Sequence, residues 1–115
     1  GAIDKALSNG YSLNGSIGLT ANGKFESHLN PSSDHWDVNG PSGGLFQWHD
    51  IPGTPQNRLT DLRNVISDSG EVVPQQIAGT FPNLAGTMNN QLDYAFNEIK
   101  REYPNLDNTL RDPSV

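Results

Sequence analysis

The chain has no cysteine among its 115 residues and few positively charged side chains. Without cysteine it can have no disulfide framework, no thiolate nucleophile and no zinc site with cysteine ligands. Seven basic against thirteen acidic residues give a formal net charge of −6, which does not suit a protein that neutralises phosphates or binds a membrane through a polybasic surface. No apolar run approaches the roughly 20 residues of a bilayer span. We therefore expect neither a nucleic-acid nor a membrane partner.

A chain of this size is expected to form a single domain with one modest core. Ile17, Ala21, Phe25 and Leu29 recur at a spacing of four. This spacing predicts a helix over residues 16–29 with these side chains along one face. Pro31 limits that helix, because the residue before a proline is pushed out of the α conformation.

Two further helices are predicted from apolar stripes and from the residues that commonly begin and end helices. Thr54 and Pro55 resemble a helix start, an apolar stripe follows, and Gly70 is a natural stop. A second apolar stripe predicts a helix over residues 87–103 that Pro104 ends, and one or two more helical turns are expected after it. A shorter helix is predicted near residues 74–78, before this long helix. The fold class is therefore mainly α (α+β), with one small irregular β-hairpin. The predicted core residues are Phe25, Leu59, Leu62, Ile66, Leu92, Phe96 and Ile99.

Glu26 is the first candidate catalytic residue because of its place in the predicted helix. It falls in or next to the last helical turn, where the partial negative charge of the helix end disfavours an ionised carboxyl group. The neighbouring Phe25 and Leu29 are expected to add desolvation in the same direction. A glutamic acid that keeps its proton near neutral pH can serve as a general acid and protonate a glycosidic oxygen.

The segment after this helix offers a second carboxylate. Residues 30–44 are rich in turn formers and are predicted to form a long loop or a short, irregular β-hairpin. Asp34 and Asp37 lie within it, where contact with water keeps a carboxyl group ionised. Such a group can stabilise positive charge at an anomeric carbon or orient a water molecule, and its separation from the acid decides between retention and inversion.

Two short motifs carry a resemblance to a known family. Glu26-Ser27-x-x-Asn30-Pro31, followed by Gly44-Leu45-Phe46-Gln47-Trp48, resembles the signature of the lysozyme and lytic transglycosylase superfamily, and of its phage tail lysozyme family in particular. The later stretches Asn57-Arg58-Leu59 and Gln91-Leu92-Asp93-Tyr94 resemble the same family. The resemblance covers roughly residues 15–103.

The resemblance implies a function and assigns roles to several residues. It implies a lysozyme-like domain that degrades bacterial peptidoglycan, with Glu26 as the acid and Ser27 beside it as a substrate-binding residue. It also implies that Gln47 and Trp48 line the saccharide cleft, with Tyr94 a further candidate for the cleft wall. A tryptophan beside an amide suits sugar recognition, because the ring can stack on a pyranose and the amide can bind hydroxyl or N-acetyl groups. For the second carboxylate we prefer Asp37 to Asp34, and no cofactor is implied.

The resemblance also implies a place of action, outside the cell or on a phage tail. The expected partner is the glycan strand of peptidoglycan, with other tail proteins as further partners. Members of the family usually continue into another helix with an aromatic-Glu element, whereas this chain stops at Val115. We therefore expect one domain over residues 1–115 that is a fragment, or whose last helix is absent or supplied by another segment or chain.

Three alternatives remain open within this interpretation. A hydrolase needs the second carboxylate, whereas a lytic transglycosylase can use Glu26 alone while the C6 hydroxyl of the substrate attacks. A non-catalytic glycan-binding or structural module of a phage tail is the third. Metal binding is a weaker hypothesis, because the spacing of His28, His35 and His49 matches no zinc motif.

Overall fold

The computed structural model describes residues 1–27, 29–30, 40–70 and 88–115, together with the backbone of residues 34–37. Within these residues lie five helices and one three-stranded sheet, which confirms the mainly α (α+β) class. In chain order the elements are α1 (Ala2–Ser8), α2 (Leu13–Ser27), β1 (Asp34–Asp37), β2 (Gly40–Gly43), β3 (Trp48–His49), α3 (Arg58–Asp68), α4 (Met88–Glu102) and α5 (Pro104–Arg111). The helix predicted near residues 74–78 lies outside the described part of the chain.

Helices α3 and α4 supply most of the core, as their apolar periodicity predicts. Six of the seven predicted core residues are buried, namely Leu59, Leu62, Ile66, Leu92, Phe96 and Ile99. Pro104 separates α4 from α5 and occupies the first turn of α5, where its missing N–H costs nothing. None of the five described helices has both the length and the apolar character that a bilayer span requires.

Helix α2 forms as predicted, but it buries a different face. Phe25 is 85% exposed, and Leu13 and Ile17 are also exposed, so the prediction of Phe25 as a core residue is wrong. The buried positions are Ser16, Gly23 and Ser27. Small residues on that face let other parts of the chain approach closely: a Cβ atom at Gly15 would lie 2.1 Å from the carbonyl oxygen of Leu110 in α5. Such a face carries little hydrophobic signal in the sequence.

Helix α1 was not predicted from the sequence. It buries Ala2 and Ala6, whereas its larger residues Ile3 and Leu7 are exposed. Two alanines four residues apart form a narrow apolar face that composition alone does not reveal. The helix packs beside α2 and α4, and Lys5 forms an ion pair with Asp93 at 3.1 Å.

Helix α3 begins later than predicted, because its N-terminus is capped from elsewhere in the chain. The backbone N–H of Thr60 donates to the carboxylate of Asp50 at 3.0 Å. Thr54, the predicted cap, instead donates its hydroxyl to the carbonyl of Ile51 in a turn, at 2.8 Å. The helix ends at Asp68, two residues before Gly70, whose φ of +89° fits the predicted stop.

The predicted β-hairpin is present and precedes the turn at residues 44–47. Strand β1 pairs with β2 in antiparallel register, with Asp34 opposite Gly43 and Asp37 opposite Gly40, and β2 pairs with β3. A turn at Gly44 therefore connects the end of β2 directly to β3. This arrangement brings the Gly44–Trp48 motif between α2 and α4.

Candidate active site in the groove beside helix α2

Glu26 lies at the exposed C-terminal end of α2. It is the last residue but one of the helix, and its carboxyl group makes no hydrogen bond or ion pair with a described residue. The end of the helix supplies the expected negative field. Desolvation by Phe25 was also expected and is absent, because that ring projects into solvent. The carboxyl group is therefore free to meet a ligand.

Ser27 ties this helix end to the turn at residues 44–47. It is buried, and its Oγ lies 2.7 Å from the carbonyl oxygen of Leu45 and 3.0 Å from that of Gly23. A hydroxyl has one proton, so it donates to one of these oxygens at a time. The hydroxyl therefore holds the residue after Glu26 against the turn, and the predicted substrate contact of Ser27 stays a prediction.

Helix α4 holds the same turn from the other side. The backbone N–H of Leu45 donates to Gln91 Oε1 at 2.8 Å, and both residues are fully buried. Gly44 has a φ of +83°, and a Cβ atom there would lie 2.8 Å from the same Gln91 oxygen. Glycine is required at this position by both the backbone conformation and the close packing. Two helices thus clamp one short turn.

Gln47 remains at the edge of the turn. It is half-buried with a φ of +51°, and its side-chain amide donates to the carbonyl of Gly44 at 2.9 Å. Part of its hydrogen-bonding capacity therefore serves the turn. Its predicted contact with saccharide stays a prediction.

The two aromatic residues predicted for the cleft wall are core residues. Trp48 is 1% exposed and packs edge-on against Phe46 and Tyr94, with ring centroids 5.5 Å apart in each pair. Tyr94 is also buried, and its hydroxyl donates to Asp61 at 2.6 Å. Burial and this hydrogen bond raise the pKa of the Tyr94 phenol above its usual range. Both residues still contribute to cavity walls, Trp48 on the α2 side of α4 and Tyr94 on the α3 side, and their predicted place in the saccharide cleft stays a prediction.

Glu98 and Arg58 form a polar centre beneath the groove that sequence reasoning missed. Glu98 is buried in α4 and accepts hydrogen bonds from Trp48 Nε1 at 3.3 Å, from Arg58 Nε at 3.0 Å and from Arg58 Nη2. The hydrogen bond to Glu98 raises the pKa of the Arg58 guanidinium. One signal in the sequence could have found it: Glu98 follows Gln91 by seven positions and Tyr94 by four, so a charged residue lies on the buried face of α4.

A groove of two adjoining cavities runs past this polar centre. The first, about 290 Å³, lies between α2, the turn, α4 and α5, and Leu19, Asn22, Phe46 and Leu106 contribute to its walls. The second, about 270 Å³, is polar and lies between α3 and α4. Residues common to both are Arg58, Glu98 and Tyr103. Glu26 follows Asn22 by one helical turn, a rise of about 6 Å, and is not itself among the residues that line either cavity.

The family match agrees with this arrangement. A family model described as phage tail lysozyme matches residues 2–114. The chain belongs to the phage tail lysozyme family. No curated protein and no solved structure matches it. Membership indicates a lysozyme-like, peptidoglycan-degrading role.

Both motifs that resemble the phage tail lysozyme family meet at one place in the structure. Ser27 from the first motif donates to Leu45 of the second, and the Phe46 ring contacts Gly23, where a Cβ atom would lie 3.2 Å from the ring. Gln91, from a later stretch, accepts from Leu45 of the same turn, and Arg58, from another, donates to Glu98, which also accepts from Trp48. The family signature therefore describes how one turn is held beside Glu26.

The two candidate second carboxylates of this lysozyme-like site differ in backbone position. Asp34 pairs with Gly43, next to the turn, whereas Asp37 pairs with Gly40 at the other end of the hairpin. Three residues of strand separate them by about 10 Å. Their side chains lie outside the described structure, so the role of either residue stays a prediction.

A metal site finds no support among the residues that the structure describes. No group of three or more histidine, aspartate or glutamate side chains there is arranged to hold an ion. His49 Nδ1 lies 2.8 Å from the Ser42 hydroxyl, and Asp50 caps α3. His28 and the side chain of His35 lie outside the described structure.

Proposed function

We propose that this chain is a muramidase that cleaves the β-1,4 bond between N-acetylmuramic acid and N-acetylglucosamine in bacterial peptidoglycan. Glu26 is the general acid, and the glycan lies in the groove between α2, the 44–47 turn and α4. Family membership supports the substrate class. The proposal adds the bond, the acid and the path of the glycan.

The observation that carries the proposal is the fixed position of an exposed Glu26. The Ser27–Leu45 hydrogen bond holds the end of α2 against a turn that two helices clamp, so the backbone beside Glu26 has little freedom. Its carboxyl group itself has no partner among the described residues. A fixed backbone with an uncommitted side chain is what a general acid requires, because the group must reach a substrate atom at about 3 Å.

The proposed reaction begins with proton transfer from Glu26 to the glycosidic oxygen. The bond between that oxygen and the anomeric carbon breaks, and the leaving sugar departs with a new hydroxyl group. Positive charge develops at the anomeric carbon and the ring oxygen. A glycan in the groove would exclude bulk water from the reacting groups.

The hairpin register favours Asp34 over Asp37 for the second carboxylate. Asp34 is the candidate whose backbone lies opposite Gly43, beside the turn that contacts α2, whereas Asp37 is about 10 Å farther along the strand. The preference for Asp37 drawn from the sequence is therefore reversed in this proposal.

The decisive experiment compares the unaltered chain with Glu26→Gln on purified peptidoglycan. Loss of the acid should lower turnover by at least about 100-fold, since general acid catalysis contributes roughly 10² to 10⁴. The matched control is Asp68→Asn, which changes an exposed carboxylate at the end of another helix, α3. Full activity in Glu26→Gln would refute the assignment.

Mass spectrometry of the released fragments distinguishes the two chemistries. Hydrolysis adds water and leaves reducing ends, whereas attack by the C6 hydroxyl leaves anhydromuramyl ends. For a hydrolase, Asp34→Asn should abolish turnover and Asp37→Asn should retain it. If both variants remain active and anhydro ends appear, the chain is a lytic transglycosylase that uses Glu26 as acid and then as base.

A non-catalytic role is the third outcome of the same experiment. Wall binding without turnover by the unaltered chain would identify a glycan-binding module of a tail.

The net charge of −6 is unfavourable for independent attraction to an anionic wall. Attachment to a tail particle would compensate, because tethering fixes the local concentration of the domain. We therefore place the protein on the virion tail, in contact with other tail proteins.

A further inference from the structure

The two aromatic rings that were expected to line the saccharide cleft are buried. Trp48 and Tyr94 are enclosed by packing, and Phe46 is half-buried. Tyr103 differs from them because 51% of its surface is exposed. Of the described aromatic residues that line the two cavities, it is the most exposed.

Tyr103 occupies a rigid position between two helices. Its backbone N–H donates to Ile99 at 2.8 Å and so continues the bonding pattern of α4, while its carbonyl accepts from Asp107 at 3.0 Å in α5. Pro104 follows it and has a restricted φ. A ring attached to so constrained a backbone loses little conformational entropy when a ligand packs on it.

The position of Tyr103 also separates two different environments. Toward α2 the groove is largely apolar, with Leu19 and Leu106 in its walls. Toward α3 it is polar, with Asn57 and Arg101 in its walls. Each cavity has a volume near the lower end of the range for small-molecule pockets, about 300 Å³, which suits one ring in each.

The charges in the polar cavity favour a neutral ligand. Arg58 is bonded to Glu98, and Arg101 is bonded to Glu102 at 2.8 Å, so both cations already have anionic partners. Asp61 adds another carboxylate to the walls. An anionic group would meet more negative than positive charge there, whereas hydroxyl and acetamido groups can use the remaining donors and acceptors.

We propose that Tyr103 is the residue on which a pyranose ring stacks, and that a neutral N-acetylhexosamine occupies the polar cavity beyond it. This inference rests on the proposed function for its substrate class and goes beyond it in naming the binding residue and the sugar. Stacking on an aromatic face buries the C–H side of the ring, while its equatorial polar groups stay at the edges.

Binding of N-acetylchitotetraose, a neutral chain of four N-acetylglucosamine units, tests the inference in the Glu26→Gln background, where turnover does not interfere. Tyr103→Ala and Tyr103→Leu should each weaken binding about tenfold by calorimetric titration, whereas Tyr103→Phe should stay within twofold. The Leu variant preserves bulk without an aromatic face. Val65→Ala, which truncates an exposed side chain of α3 outside both cavities, is the control.

Kinetics on peptidoglycan provide a second measurement in chains that retain Glu26. Tyr103→Ala should raise KM about tenfold and leave kcat within twofold, because the ring binds the glycan and does not touch the reacting bond. Unchanged binding and KM in Tyr103→Ala, or no rescue by Tyr103→Phe, would overturn the inference. Tighter binding of a galacturonic acid tetramer than of N-acetylchitotetraose would overturn the assignment of a neutral sugar.

The two proposals fail in different ways. If Glu26→Gln abolishes turnover but Tyr103→Ala binds normally, the muramidase proposal stands and the stacking residue is wrong. If Glu26→Gln stays fully active, the assignment of the acid is wrong, and the KM of Tyr103→Ala on peptidoglycan still decides the role of Tyr103.

Discussion

Replacing either member of the Arg58–Glu98 ion pair should destabilise the protein, and the two losses should be unequal. The side chain of Glu98 is only 8% exposed, whereas that of Arg58 is 42% exposed. Arg58→Met leaves a buried carboxylate with the Trp48 indole as its one described donor, so we expect a loss of about 3 kcal/mol. Glu98→Gln leaves a guanidinium that water can reach and a side-chain amide whose oxygen still accepts a hydrogen bond. We therefore expect the free energy of unfolding to fall by only about 1–2 kcal/mol.

Urea unfolding followed by tryptophan fluorescence measures these differences, because Trp48 is buried against Glu98. The double variant Arg58→Met/Glu98→Gln should be more stable than Arg58→Met alone, since it removes the unpaired charge. Lys5→Met, which breaks the surface pair with Asp93, is the control and should cost less than about 1 kcal/mol. Equal losses in the two single variants, or strict additivity in the double variant, would refute the reasoning.

Two further predictions concern the contact between α2 and α5 and the acid limit of stability. Gly15→Ala should cost more than about 2 kcal/mol in the same assay, because its Cβ would meet the Leu110 carbonyl. Gly18→Ala, in open space on the same helix, should stabilise by about 0.5–1 kcal/mol. Hydrogen bonding to Arg111 lowers the pKa of Asp107, so its stabilising contribution should be present above about pH 4 and be lost as the pH falls further. In Asp107→Asn the free energy of unfolding should therefore fall less steeply as the pH drops below about 4, which a series of unfolding curves at different pH values measures. An unchanged dependence on pH would contradict the prediction.

The successes and failures of the sequence predictions have a common physical basis. Helices α3 and α4 bury large apolar side chains at helical spacing, so their cores were predictable. Helix α2 buries serine and glycine instead, because α5 and the Phe46 ring approach its backbone closely. Side chains of that size contribute almost nothing to periodicity. The start of α3 was misplaced for a different reason: its cap, Asp50, acts across a turn.

The candidate site divides in the same way. The sequence by itself determined that Glu26 lies at a helix end, because a helix end depends on a few neighbouring residues. It also determined family membership, since the motifs are local strings. Only the tertiary structure decided which aromatic rings are covered, which acid is buried beside Arg58, and which tyrosine faces the groove. Exposure depends on what packs against a side chain from distant parts of the chain, and no local pattern contains that information.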